Sequence, residues 1–193
     1  MKRKLLMILS GVFLLSASGY SQIEKGNVLA GGDIANFNIG LKSGSAFQMT
    51  IDPKLAFFIK DNLAVGAYIN FGLTSADHAT STSYGVGALA RYYFSDKGNM
   101  NPLRHSRFFV EGNAGINGQN VSGGSSTNGL GLGIGPGYAY FITPNIGLET
   151  LLKYNGIVGF GNSVTQSNLN LNVGFQIYLP SRKLRSKVEN DVR

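Results

Sequence analysis

Two histidines, His78 and His105, are the whole imidazole complement of the chain, and cysteine is absent. Thiolate nucleophiles, disulfides and cysteine-bound metals are excluded, and a histidine-based metal or catalytic site is starved of ligands. His78 stands near Ser75, Asp77 and Ser81, residue types that would suit a lipid-modifying acyl transfer. That stretch reads as a loop, however, where a solvated histidine needs no catalytic role. His105 and Ser106 fall in a different connection, on the side of the fold opposite to that chemistry. Glycines recur at every second position from Gly129 to Gly137. They match no G-x-G-x-x-G pattern and open no helix, so a dinucleotide loop is rejected; their expected role is to relieve crowding. No catalytic residue, cofactor or metal is expected.

The residues that remain are six charges set within apolar alternation: Asp52, Lys54, Arg91, Glu111, Glu149 and Lys153. Their chemistry is mutual neutralisation, three of each sign, as a narrow polar interior requires. The elements that must position them are strands. From Asn168 to Leu179 the chain alternates without a break, with Leu169, Leu171, Val173, Phe175, Ile177 and Leu179 on one face. Strict alternation over that length is a strand, and ~9–11 residues suffice to cross a bilayer at a tilt. The same pattern recurs around Phe47–Ile59, Leu63–Leu73, Tyr84–Phe94, Phe108–Asn117, Leu130–Ile142 and Ile146–Asn155. A weaker first strand, about Leu29 to Leu41, places Asp33 on its apolar face, so Gly31-Gly32 is expected to bulge there or Asp33 to lie at the membrane rim. Eight strands result, an even number that suits a small antiparallel membrane barrel.

Lys2, Arg3 and Lys4, the apolar run Leu5 to Leu15, and small residues up to Ser21 read as a cleaved secretory signal over 1–21. The run is about half of what a membrane-spanning helix needs. The formal net charge of +7 suggests nucleic acid at first sight, but three basic residues belong to the signal and five to the segment 181–193, a basic tail expected to be disordered and periplasmic. Between Gln22 and Pro180, nine basic residues face eight acidic ones, so a basic stripe is missing and no nucleic-acid partner is expected. Charged residues are 14% of the chain, against ~25% in soluble domains.

Alternation alone would also suit a soluble barrel with its apolar face inward. The polar face decides against it, being Gly, Asn, Thr and Ala with few charges. Lys60-Asp61-Asn62 and Thr143-Pro144-Asn145 read as tight turns; longer Ser/Gly/Thr/Asn-rich loops are expected near 42–45, 74–83, 118–128 and 156–167. The connection from Ser95 to Ser106 breaks that rhythm. An ungapped repeat aligns Pro53–Val65 on Pro136–Leu148, each unit holding a strand, a turn and the next strand's start. Aromatics before the turns (Phe57 and Phe58, Tyr92 to Phe94, Tyr140 and Phe141, Tyr178) are expected to form an interfacial girdle, and Pro53 and Pro136 to mark bulges.

These repeated Pro-x-x-Ala-[Phe/Tyr]-Phe-Ile-x-x-Asn-x-[Ala/Gly] units, with the strand count and the signal, resemble the outer-membrane β-barrel (porin-like) family, similar in architecture to the barrel of outer membrane protein A. The resemblance covers 22–180 and implies an all-β, eight-stranded antiparallel up-and-down transmembrane barrel, integral to the outer membrane and in contact with its lipids. It also implies a signal for the barrel-assembly machinery in the last strand, at Asn172, Gly174, Ile177 and Leu179, although here 181–193 follow rather than a terminal aromatic. The expected function is a structural or interaction role for a monomeric, non-enzymatic barrel with a plugged, charge-balanced lumen. The alternatives are a narrow porin-like channel and, behind it, an outer-leaflet lipid-modifying enzyme.

Overall fold

The computed structural model describes residues 23–39, 47–76, 79–94, 105–122, 126–160 and 166–180. Eight strands, β1 (Val28–Ile39), β2 (Phe47–Lys60), β3 (Leu63–Ala76), β4 (Ala79–Tyr93), β5 (Ser106–Val121), β6 (Thr127–Thr143), β7 (Ile146–Gly159) and β8 (Gln166–Leu179), follow one another around a closed barrel. Every neighbouring pair is antiparallel, including β1 with β8. Closure leaves no strand as a free edge, the requirement of a sheet with hydrocarbon outside. The expected signal 1–21, the tail 181–193, His78 with Asp77, and 95–104 lie outside the described residues.

Period two sorts the side chains. Ile51, Leu55, Phe57, Ile69, Phe71, Val86, Leu132, Ile134, Leu148, Leu171 and Val173 are exposed on the outer face, while Lys54, Arg91, Glu111, Glu149 and Lys153 are buried inside. Polar groups lie inward and apolar groups outward, the reverse of a soluble barrel.

The first strand corrects an expectation. Asp33 points inward and is buried, as are Leu29 and Ala35, whereas Ile34 is exposed. The register from Val28 to Ala35 runs unbroken against both neighbours, so no bulge sits at Gly31-Gly32; the irregularity falls between Ala35 and Asn38. Leu29, apolar and on the same face as Asp33, packs among inward-facing rings. Pro53 and Pro136 do not mark bulges either. Pro53 pairs with Gly32 and Pro136 with Val110 in register, and both are exposed outward. On the β3 and β7 sides the ladder omits a rung at each proline without shifting, as a missing N–H dictates. The shifts occur instead at Phe58/Lys60 and Phe141/Thr143, equivalent positions of the internal repeat beside the two tight turns.

The loops are shorter than composition suggests. Thr74 to Ser83 was expected as loop, but β3 and β4 pair up to Ala76↔Ala79. β5 likewise runs to Val121, and β7 to Gly159. Ser and Thr there continue the ladder, since a strand end rising beyond an apolar band can be polar on both faces.

At the opposite end, here called the turn end, residues 23–27 fold across the base of the barrel. Gly26 N–H donates to Phe58 O at 2.8 Å, and Asn62 N–H to Ile23 O at 2.9 Å. Ile23 packs against the inner apolar cluster. Gly26 and Asn62, with φ of 91° and 66°, provide the left-handed residues these tight bends need.

Candidate functional site: the lumen

The lumen is layered. At the turn end, Phe58, Tyr93, Phe109, Phe141 and Tyr178 form an aromatic floor with Leu29, Leu151 and small Ala56, Ala64 and Ala139. Ring centroids lie 5.4 Å apart for Tyr93–Phe109 and 5.2 Å for Phe141–Tyr178, tilted or edge-on as ring quadrupoles prefer. The girdle therefore divides in two. Phe57, Tyr92, Phe94 and Tyr140 are exposed outward, but Phe58, Tyr93, Phe141 and Tyr178, read from the sequence as girdle, face inward. Adjacent aromatics cannot share a face in a strand, so each aromatic doublet supplies one ring to each side. Phe108 and Tyr138 join the outer set.

The middle layer is ionic and centred on Glu111. Its carboxylate accepts from Arg91 Nη2 at 2.6 Å and Nε at 3.0 Å, from Lys54 Nζ at 3.1 Å and from Lys153 Nζ at 3.2 Å. Arg91 Nη1 reaches Glu149 Oε2 at 2.6 Å and Tyr93 Oη at 3.0 Å, while Tyr178 Oη donates to Glu149 Oε1 at 2.6 Å. The guanidinium also lies 4.1 Å from the Phe109 ring centroid, a cation–π contact that joins the ionic layer to the floor. Lys54 Nζ bonds Asp33 Oδ2 at 2.6 Å, and Gln176 Nε2 donates to Asp33 Oδ1 at 3.0 Å. Such multiply bonded geometry is what offsets the desolvation of buried charges.

Of the six charges singled out in the sequence, Lys54, Arg91, Glu111, Glu149 and Lys153 meet in this layer. Asp33 takes the sixth place. Asp52 stands one rung farther toward the loop end and is bonded by Asn70 Nδ2 at 2.5 Å. Asp33 could have been found from one signal: a carboxylate in a short exported strand has a lower cost inside a polar lumen than on a lipid face, so it should have set the parity of β1.

Volume is set by glycine. A Cβ at Gly137 would run into the Phe109 ring, and one at Gly174 into the Asp33 carboxylate. The alternating glycines of β6 therefore form a smooth wall against which large residues from other strands pack.

Above the ionic layer a polar vestibule of about 180 Å³ is lined by Thr50, Asp52, Asn70, Asn113, Asn117 and Lys153 among others. It lies toward the ends where the longer connections 40–46 and 160–165 occur. Asn172, Gly174, Ile177 and Leu179 lie on β8, the first two buried inside and the latter two half-buried outside. Among the described residues, no group of three or more His, Cys, Asp or Glu could hold a metal ion, and no helix is long and apolar enough to cross a membrane.

No protein-family model and no curated protein matches the sequence. Solved structures do. Neisserial surface protein A is 21% identical, with a TM-score of 0.52, covering 83% of this chain and 99% of its own. The outer membrane protein OprG from Pseudomonas aeruginosa is 13% identical, with a TM-score of 0.51 and the same two coverages. What these likenesses establish is the shared fold.

Proposed function

We propose that this chain, which has the architecture of the eight-stranded outer-membrane barrels, is itself an integral outer-membrane protein with a structural or interaction role and a plugged lumen. One observation carries the reading: a closed sheet exposes large apolar side chains outward from its strands, from Ile34 on β1 to Phe175 on β8, and encloses its charges. Exposed apolar surface that extensive is not tolerated in water and matches the outer band of a membrane barrel.

Within this reading, residues 1–21 are an export signal and the turn end faces the periplasm, with 181–193 beyond it. Asn172, Gly174, Ile177 and Leu179 serve recognition by the assembly machinery, and the barrel acts as a monomer without catalysis. The plug is supported by the packing of Arg91, Tyr93, Phe58, Phe109 and Tyr178, all essentially inaccessible. Fractionation with an unboiled-versus-boiled gel tests the location: an outer-membrane species of heat-modifiable mobility is expected, and a soluble species of fixed mobility would overturn it. The polar vestibule favours a second reading, a narrow channel for small solutes. Planar bilayers separate the two, since steady single-channel steps would remove the plugged lumen.

A further inference from the structure

Between the aromatic floor and the loop-end mouth, the described lumen holds four carboxylates and three cations. Asp33, Glu111 and Glu149 are matched by Lys54, Arg91 and Lys153 in five ion pairs of 2.6–3.2 Å. Asp52 is the fourth carboxylate. It lines the vestibule, its side-chain hydrogen bond comes from the neutral amide of Asn70, and it forms no ion pair with a described side chain. The cavity's cation, Lys153, is already committed to Glu111.

The remaining wall is polar: Thr50, Asn70, Asn117, Asn155, Asn168 and Asn170 line the cavity with neutral amide and hydroxyl side chains. Asn113 lines it as well, and its Oδ1 is buried without a hydrogen-bond donor. A buried acceptor left unmade costs ~1–3 kcal/mol, and a carboxylate whose nearby cations, Lys54 and Lys153, are bonded to other carboxylates is only partly compensated. Both deficits are relieved by the same ligand, one that brings a single positive charge and several N–H or O–H donors. The volume admits a molecule of a few heavy atoms. One carboxylate suits a monovalent group and not calcium, which gathers 6–8 oxygen ligands, usually with several carboxylates.

We propose that the loop-end vestibule is a binding site for a small organic monocation bearing a primary ammonium, with Asp52 as its counter-charge and Asn113 Oδ1 as a second acceptor. The ammonium restores neutrality to the lumen and donates up to three hydrogen bonds. The site depends on the barrel and its lumen, and not on which membrane holds it.

The test uses the full-length exported barrel folded in detergent micelles, in ~0.1 M NaCl so that sodium competes throughout. Amide chemical shifts are followed on adding propylammonium, glycerol or propionate, three probes of similar size and different charge. Saturable shifts confined to the vestibule strands are expected with propylammonium only. Asp52→Asn should weaken that binding about tenfold while the gel mobility of the folded barrel is kept, since a charge-assisted bond becomes a neutral one. Three results would overturn the proposal: no saturable shift, equal binding of glycerol, or unchanged affinity in Asp52→Asn. A failure of the membrane assignment would appear in fractionation and leave these titrations untouched.

Discussion

Glu111 receives three cationic side chains, and two of them, Lys54 and Arg91, are sealed from water. Replacing it by Gln should therefore cost ~3–5 kcal/mol, the penalty for stranding buried charges, read as a lower urea midpoint for loss of the folded gel band. Asp52→Asn, one rung away and bonded to an amide, should change stability by less than ~1 kcal/mol, read in the same midpoint. If the two variants unfold alike, the ionic layer is not held through Glu111. Much of this layer was legible in the sequence because a charge on the inner face of a clear alternation has nowhere else to go. Asp33 was not, because β1 carries Leu29 and Ala35 on its luminal face and polarity could not reveal the parity. The pairing of Asp33 with Lys54 is a contact between strands, to which alternation within one strand is blind.

At the scale of the element, β8 differs along its length. Its inner part pairs with β1 from Leu179 to Asn172, but residues 166–171 pair only with β7. Half of the amides in 166–171 point toward β1 and have no rung there. Hydrogen exchange in micelles should find these alternate amides fast, with those directed to β7 protected; uniform protection over 166–179 would contradict the register. Strand number, order and the two tight turns could be read from the sequence, since period two and turn chemistry are local. Three details could not. Strand ends rich in Ser and Thr resemble loops, prolines on an outward face resemble bulges, and aromatic doublets resemble a girdle until their alternate members are assigned to opposite faces.

The whole molecule depends on closure, because an open edge facing hydrocarbon leaves backbone groups unsatisfied. A chain ending after Asn172 loses all but the last of the residue pairs that join β8 to β1 and also Gln176 and Tyr178 from the lumen. It should give no heat-modifiable species, whereas a chain ending after Pro180 should keep the shift of the full-length protein. A folded band from the shorter chain would show that closure is dispensable.

Several of the bonds through the lumen join strands that are not neighbours. Lys54 of β2 reaches Glu111 of β5, Arg91 of β4 reaches Glu149 of β7, and Tyr93 of β4 meets Tyr178 of β8 at 2.8 Å. A hydrogen-bonded sheet rolled into a hoop resists stretching but is easily squeezed oval. These side chains run across it as spokes do across a rim. Lateral pressure on one wall is passed as compression to the far wall, so the cross-section stays round under load and the barrel behaves as a rod in its surroundings rather than as a tube.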